Sequence, residues 1–228
     1  MIKTIALINR KEGISREEFA RHYEEVHAPL ALKYLKSIRH YARNHIVSAL
    51  VEAKLPFDCV SQFWFETIED AMKVQEFSQS EEGQVLRDDE VTFLDNDKTL
   101  SFLVDERSSG LEETFVPSET VKAIAIIKKK PGLTREEFID HYESSHAPLI
   151  MKHSTGLFSY IRNYTVPMGD EPQFDSLTEM WFKDKASYDE TMSFRLSDAG
   201  NVIADDEATF IDMTNIGFYL VSEHVTSI

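Results

Sequence analysis

Along the chain, apolar runs typical of β-strands alternate with apolar residues at the helical spacing of three and four. The same series of predicted elements occurs twice. Residues 2–9 form a β-branched and aliphatic run with apolar residues on nearly both faces, which is typical of a central β-strand. After Arg16, Phe19, Tyr23 and Val26 recur at spacings of four and three, which indicates an α-helix. The pattern predicts further strands over 38–47, 59–66 and 99–104 with a helix over 68–78, and again strands over 157–166, 176–183 and 217–221 with a helix over 185–194.

A segment near the start of each half has nearly the same sequence. Residues 10–30 and 129–149 align without gaps and share 13 of 21 residues, which marks an internal repeat. We therefore predict two units, over 1–106 and 120–228. Residues 107–119 contain Ser108-Ser109-Gly110 and Pro117, which is typical of a surface linker.

Each repeated segment carries the signal for a helix start. Ser15 with Glu18 forms a capping box, and Thr134 with Glu137 repeats it. Pro29 then falls near the end of the first helix, where its ring would interrupt a regular hydrogen-bond ladder. We expect a kink there, or a second helix with this proline in its first turn.

The order strand, helix, strand, strand, helix, strand is the split βαβ plan of a ferredoxin-like unit. Such a sheet has helices on one face only, and a tandem copy supplies a cover for the other at high effective concentration. The predicted fold is therefore α+β, with two ferredoxin-like (βαββαβ) units packed sheet to sheet as an intramolecular dimeric α/β barrel. This pseudo-dimer leaves open a further homodimer.

Composition narrows the class of partner. Hydrophobic residues make up 42% of the chain, including 15 Phe and 8 Tyr, which suffices for packed cores. The net charge of −16 argues against nucleic acid and anionic membranes. Cys59 is the single cysteine, so no intrachain disulfide forms, and no apolar run approaches the length of a membrane span. We expect a soluble cytoplasmic protein.

The motif Lys-x-Gly-[Ile/Leu]-[Ser/Thr]-Arg-Glu-Glu-Phe, followed by His-Tyr-Glu and His-Ala-Pro-Leu, resembles the EthD family. That family is named for a protein of ethyl tert-butyl ether degradation and belongs to the dimeric α/β-barrel superfamily. The resemblance implies work on small organic molecules, by dehydratases, decarboxylases, lactone isomerases or accessory proteins. The wider superfamily includes oxygenases without a bound cofactor and haem enzymes. Most members are single units, so a tandem chain is a departure.

His27 and His146 are the first candidates for catalysis, and the resemblance points to the same position. A neutral imidazole takes or gives a proton near pH 7, although a histidine here can also simply cap the helix. His22 and His141 lie five positions earlier, about 140° around an α-helix. We therefore expect them to be structural and not to share a face with His27 and His146. No metal site is expected.

One face of the second strand offers substrate-binding groups, with the alternative that they only pair among themselves. Hydroxyl and guanidinium groups there would hold an anionic or phenolic ligand. By alternation, Asn44 and Asn163 lie on the opposite face. The predicted binding residues are Tyr41, Arg43, Tyr160 and Arg162 of this strand, together with Trp64 and Trp181 of the third strand.

The copies differ on the third strand, where Gln62 in the first corresponds to Glu179 in the second. Trp64 and Trp181 lie two residues on, and a carboxylate beside an indole in a closed cavity can act as an acid or base. We therefore expect the second copy to carry the working site.

Four aspartates also recur in register: Asp89, Asp95, Asp206 and Asp212. They can orient a histidine, or instead cap helices and turns.

Taken together with these residues, the resemblance to the EthD family implies an enzyme without a bound cofactor that acts on a phenolic or other aromatic compound by histidine-mediated proton transfer. Dehydration, decarboxylation, isomerisation and cofactor-free oxidation remain open as reactions. In this hypothesis His146, His27 and Glu179 are catalytic, while Asp206 and Asp89 support them. A second hypothesis is a non-catalytic small-molecule-binding or accessory protein, and a third is a haem-binding relative with His146 or His27 as axial ligand.

Overall fold

The computed structural model describes residues 1–110, 119–169 and 171–227. Contacts divide the chain into two compact units. Unit 1 comprises residues 1–46 and 56–104 together with the C-terminal segment from Ser222 onward, and unit 2 comprises residues 47–55 and 105–221.

Unit 1 is built on a four-stranded antiparallel sheet in the order β4–β1–β3–β2. Strand β1 pairs on both sides, as its continuous apolar run predicts. A π-helical turn joins the first two helices, over Tyr23–His27. The elements are β1 (Ile2–Ile8), α1 (Arg16–His22), α2 (Ala28–Tyr34), β2 (Ile38–Val51), β3 (Cys59–Phe65), α3 (Ile68–Gln79), α4 (Gln84–Phe93) and β4 (Leu100–Gly110).

Unit 2 repeats this plan with the sheet order β8–β5–β7–β6. Its π-helical turn covers Tyr142–His146. The elements are β5 (Val121–Lys129), α5 (Arg135–His141), α6 (Ala147–His153), β6 (Leu157–Thr165), β7 (Ser176–Phe182), α7 (Lys185–Arg195), α8 (Asn201–Phe210) and β8 (Ile211–Ser227). The predicted α+β class and the two ferredoxin-like units are confirmed.

Both capping boxes form as the sequence predicts. Ser15 accepts a hydrogen bond from the Glu18 backbone N–H, while the Glu18 carboxylate accepts one from the Ser15 N–H. Thr134 and Glu137 make the same pair of bonds. The start of α1 and of α5 is therefore fixed by local sequence.

Helices α4 and α8 are absent from the sequence prediction. Their first residues follow Gly83 and Gly200, and neither helix has a side-chain cap. In α4 only Leu86 and Phe93 are buried, so the apolar stripe that would reveal the helix is short. These two helices carry Asp89 and Asp206, and the prediction therefore missed the element that places them.

The last strand of each unit is longer than predicted. β4 continues to Gly110 and β8 continues to Ser227. The sequence did not reveal these extensions, because they are polar and lack an apolar run. The predicted linker over 107–119 thus begins inside β4, and its part over 111–118 lies outside the described residues.

A β-bulge changes the faces of the second strand. The register shifts between Ile38 and His40, and again between Leu157 and Ser159. As a result Ile38 packs in the helix-side core with Tyr41, instead of sharing a face with His40 as strict alternation predicts. The alternation holds beyond the bulge, where the helix side of the sheet carries Tyr41 and Arg43.

Candidate functional site

The two histidines of each motif are joined by a π-helical turn. In unit 1 the N–H of Ala28 donates to the carbonyl of Tyr23, five residues earlier. Pro29 has no N–H and its ring crowds the preceding turn, so an ordinary α-helical ladder cannot continue through this point. Proline instead lies in the first turn of α2, which is one of the two predicted outcomes. Ala147 and Tyr142 make the same bond in unit 2.

The wide turn brings His22 and His27 to the same carboxylate. His22 Nε2 lies 2.8 Å from Asp89 Oδ1, and His27 Nδ1 lies 2.8 Å from Asp89 Oδ2. The expectation that these histidines do not share a face is therefore wrong, because it assumed α-helical rotation between them.

Unit 2 repeats the arrangement with the same distances. His141 Nε2 lies 2.8 Å from Asp206 Oδ1, and His146 Nδ1 lies 2.8 Å from Asp206 Oδ2. We name each set the His–Asp–His cluster: His22, Asp89 and His27 in unit 1, and His141, Asp206 and His146 in unit 2. Among the described residues, no three His, Cys, Asp or Glu side chains are arranged to hold a metal ion.

The second histidine of each cluster is buried between aromatic rings. His27 is 6% exposed and His146 is 3% exposed. The His27 ring centroid lies 5.2 Å from those of Tyr23 and Phe93. The His146 ring centroid lies 5.0 Å from those of its counterparts Tyr142 and Phe210.

Burial lowers the pKa of His27 and of His146, and it outweighs the opposing effect of the aspartate on each. Both rings are therefore neutral near pH 7. The carboxylate then accepts the Nδ1–H, which places the lone pair on Nε2. That atom has no hydrogen-bond partner in the described parts of the chain, so it is available to accept a proton.

The predicted substrate-binding tyrosines lie beneath the helices and already have partners. Tyr41 Oη donates to Tyr23 Oη over 2.9 Å, and Tyr23 Oη is 2.7 Å from Ser61 Oγ. In unit 2, Tyr142 Oη lies 3.1 Å from Tyr160 Oη and 2.8 Å from Thr178 Oγ1. Burial raises the pKa of Tyr142 to about 12, so it stays protonated.

The predicted substrate-binding arginines are likewise committed to the protein. Arg43 binds Glu24 with Nε and Nη2, at 3.1 and 2.6 Å. Arg162 binds Glu143 in the same way, at 3.0 and 2.5 Å. Arg43 is 4% exposed and Arg162 is 1% exposed. These contacts argue against the expected role in substrate binding, because the groups that would hold a ligand hold the π-helical turn instead.

Glu179 lies on the other face of the sheet. Its neighbour Thr178 faces the helices, so by alternation Glu179 faces away from them. Its carboxylate lies 2.7 Å from Lys122 Nζ and accepts a hydrogen bond of 2.8 Å from Asn163 Nδ2. The structure therefore does not bring Glu179 together with His146, contrary to the sequence hypothesis.

Both tryptophans accompany a buried lysine on that face. Lys122 Nζ lies 4.1 Å from the Trp181 ring centroid, and Lys3 Nζ lies 4.4 Å from that of Trp64. In unit 1, Gln62 accepts a hydrogen bond from Asn44 at 3.2 Å. Lys3 and Lys122 were not singled out from sequence, although a lysine in an apolar strand at the same place in both copies was a usable signal.

The other recurring residues stay apart from the His–Asp–His clusters. Asp95 Oδ2 lies 2.6 Å from Lys98 Nζ, and Asp212 accepts a hydrogen bond from Thr214. Of the four aspartates only Asp89 and Asp206 contact histidines.

The single cysteine, Cys59, is fully buried in β3.

Fold and site together define a tandem ferredoxin-like protein that repeats one buried histidine–carboxylate pair in each unit. The sequence profile of the EthD domain matches residues 11–97 and again 130–214. The chain therefore belongs to the EthD family.

Solved structures show where else this fold occurs. An anthrone oxidase-like protein is 10% identical, with a TM-score of 0.66, over 99% of this chain and 92% of its own. A candidate monooxygenase from Lactobacillus acidophilus NCFM is 9% identical, with a TM-score of 0.57, over 99% and 95%. An EthD family protein from Bacillus halodurans C-125 is 24% identical over 48% of this chain and 98% of its own, with a TM-score of 0.32. No curated protein matches the sequence. At identities of 9% and 10%, the likeness to the first two structures shows the fold alone.

In the described residues, no helix combines the length and apolar character needed to cross a membrane.

Proposed function

We propose that this protein is an enzyme that moves a proton on a phenolic or enolisable aromatic compound without a bound cofactor. One observation carries the proposal: in both units an aspartate binds Nδ1 of a neutral, buried histidine and leaves its Nε2 free as a base. The groups in the proposed reaction are His27 with Asp89, and His146 with Asp206.

The chemistry follows from the protonation states. Nε2 removes a proton from an acidic C–H or O–H bond of the substrate, which leaves an enolate or phenolate. The imidazolium formed is stabilised by the carboxylate on Nδ1, and it later returns the proton at another atom of the product. His22 and His141 bond the second oxygen of the carboxylates, and so hold them in the orientation that the reaction needs.

The comparisons support the substrate class. Family membership places the chain among EthD proteins, and one protein of the same fold is named anthrone oxidase-like. Anthrone is an aromatic ketone with an acidic methylene group, which a neutral histidine can deprotonate. Removal of that proton is a first step shared by isomerisation, dehydration and cofactor-free oxidation of such compounds.

The described residues do not fit a haem. An axial histidine must leave room for the whole plane of the porphyrin in front of Nε2, whereas a proton acceptor needs room only for one C–H or O–H group. His27 and His146 are instead packed between two aromatic rings each and are 6% and 3% exposed. The proposed reaction therefore does not involve haem.

The same low exposure favours a second candidate, a protein that binds a small aromatic molecule without turnover. In that case the His–Asp–His clusters only fasten the α1–α2 and α5–α6 helix pairs to α4 and α8. The two functions differ in whether Nε2 exchanges protons with the ligand.

Deuterium exchange at the methylene group of anthrone in D2O distinguishes them, since it reports proton removal whatever step follows. We expect wild-type protein to accelerate the exchange, and His27→Ala combined with His146→Ala to reduce it to the solvent rate. Each single variant shows which unit works. His153→Ala is the matched control, because His153 does not belong to either His–Asp–His cluster. Its ring stacks on that of Phe194, with the ring centroids 4.9 Å apart. Exchange as fast in the double variant as in wild type would refute the proposal.

A further inference from the structure

Helix α7 of unit 2 turns a polar stripe toward the interior of the unit. Tyr188, Thr191 and Arg195 are spaced by three and four residues, so they lie on one face of the helix. Tyr188 and Thr191 are buried, with 4% exposure each. The equivalent helix of unit 1 has no such stripe, since the corresponding residues are Ala71, Val74 and Ser78.

The two buried hydroxyl groups have no hydrogen-bond partner among the residues that the structure describes. Neither Tyr188 Oη nor Thr191 Oγ1 makes a hydrogen bond within the described residues. Buried hydroxyls are nearly always bonded, and a helical threonine usually bonds the carbonyl four residues earlier. Two unsatisfied hydroxyls on successive turns of one helix face therefore indicate a partner from outside the chain.

The last residue of this stripe, Arg195, contacts the helix that carries the aspartate bound to His146, the proposed base of unit 2. Arg195 Nη2 donates to both oxygens of Glu207, at 2.8 and 2.9 Å. Glu207 directly follows Asp206, whose carboxylate binds His146. The seven helical steps from Tyr188 to Arg195 span about 10 Å along the helix axis. The unsatisfied hydroxyls thus lie along the side of α7 that ends beside the His141–Asp206–His146 cluster.

Apolar side chains surround the hydroxyls. Tyr188 belongs to the same buried cluster as Ile150, Leu157 and Phe182, and the Phe182 and Tyr188 ring centroids are 5.5 Å apart. Met151, Met180 and Met192 border this cluster and are only partly buried. Methionine side chains change shape easily and make favourable contacts with aromatic rings. The surroundings therefore suit a flat aromatic body with an oxygen at one edge.

We propose that Tyr188 and Thr191 bind a carbonyl or phenolate oxygen of the aromatic substrate in unit 2, each hydroxyl donating one hydrogen bond to it. The inference rests on the proposed function for the aromatic class of the ligand. The bordering methionines change rotamer to admit the ligand. Unit 1 has Ala71 and Val74 at these positions, so it lacks this site and the chain binds one ligand.

The test uses variants that remove only a hydroxyl group. The probe is 1,8-dihydroxyanthraquinone, a stable coloured compound with carbonyl and phenol oxygens, titrated into the full chain by calorimetry. We expect one probe per chain. Tyr188→Phe and Thr191→Val should each raise Kd about tenfold, and the double variant about a hundredfold, as expected for one and two lost hydrogen bonds. The same variants, without probe, should have an unchanged or higher Tm, because each removes an unsatisfied buried group.

Thr165→Val is the control, because its buried hydroxyl donates to the Phe174 carbonyl over 2.9 Å. It should lower Tm and leave Kd unchanged. The inference is overturned by unchanged Kd in the hydroxyl variants, by a lowered Tm in them, by two probes per chain, or by no saturable binding to wild type.

Failure of the proposed function would look different. If the hydroxyl variants weaken probe binding while anthrone exchange never exceeds the solvent rate, the binding site stands and the enzyme does not. If anthrone exchange depends on His146 but the Kd for the probe is unchanged in both hydroxyl variants, the proposed enzymatic function is supported and this binding site is refuted.

Discussion

At the scale of single residues, the two copies share their proposed acid–base chemistry and differ in what surrounds it. Asp89 and Asp206 hold their histidines at the same distances. By contrast, Glu24 bonds His45 in unit 1, whereas Glu143 bonds Tyr164 at the same place in unit 2. The pair Gln62 and Glu179, which is the sharpest difference in the sequence, lies on the other face of the sheet.

Asp206→Asn combined with Asp89→Asn should slow proton transfer by about 10²- to 10⁴-fold, because an amide cannot stabilise the imidazolium. The aspartates also raise the pKa of His146 and His27, so their loss should move the pH dependence of the residual rate to lower pH. A pH–rate profile of anthrone exchange measures both effects. Asp205→Asn, at an exposed neighbour of Asp206, is the control. An unchanged rate and midpoint would contradict the role of the carboxylates.

His45 should make unit 1 sensitive to alkaline pH. Burial acts to lower its pKa, but Cys59 and Glu24 outweigh burial and raise it from 6.5 to about 9. Protonated His45 therefore contributes its full stabilisation of the folded state below pH 6.5, and this contribution is lost as the pH rises through about 9. We expect the free energy of unfolding to fall by about 3 kcal/mol over that range, since one pKa unit corresponds to about 1.4 kcal/mol.

Urea unfolding at several pH values measures this loss. His45→Tyr copies the Tyr164–Glu143 pair of unit 2, and should remove the pH dependence between 6.5 and 9. A variant that loses stability as steeply as wild type would show that His45 is not the titrating group.

At the scale of elements, local signals fixed where helices begin but not how they continue. The capping boxes at Ser15 and Thr134 were predictable, since each needs only residues three positions apart. The π-helical turns were predictable only in part, because Pro29 and Pro148 predict a break in the helix but not that the break takes the form of a wide turn. This is why the sequence placed His22 and His27 on different faces.

Pro148→Ala tests the link between the π-helical turn and the His146–Asp206 contact. Alanine supplies the N–H that an ordinary helix would bond to the carbonyl of Ser144, and so allows the turn to tighten. We expect His146 to rotate away from Asp206 and the rate of anthrone exchange in unit 2 to fall about tenfold or more. The rate should be measured with His27→Ala as background. Pro167→Ala, in an exposed loop, is the control, and an equal effect there would contradict the link.

At the scale of the whole molecule, the compact units do not follow the order of the sequence. The C-terminal segment from Ser222 belongs to unit 1. There Thr226 Oγ1 accepts a hydrogen bond of 3.1 Å from Arg43, and His224 Nδ1 lies 3.7 Å from Glu24. In unit 2, Arg107 lies over the Tyr164 ring in the corresponding place.

Ending the chain after Val221 should therefore weaken unit 1 more than unit 2. We expect faster hydrogen exchange in the amides of residues 16–34 and little change in residues 135–153, because only the former lose contacts of this segment. Mass spectrometry of peptides from both regions makes the comparison within one sample. Arg107→Ala should show the opposite preference, and equal loss in both regions would contradict the assignment.

The sequence alone determined the duplication, the order of the strands with the helices α1, α3, α5 and α7, the caps of those helices, the family resemblance and the two histidines before Ala-Pro-Leu. These features depend on local spacing and on direct comparison of the copies. Tertiary structure decided which side chains meet. It carried Asp89 and Asp206 to their histidines, turned Glu179 away from them, and committed Arg43 and Arg162 to Glu24 and Glu143. Such contacts join residues far apart in sequence, so their geometry depends on a π-helical turn, a bulge and two helices that no local pattern specifies.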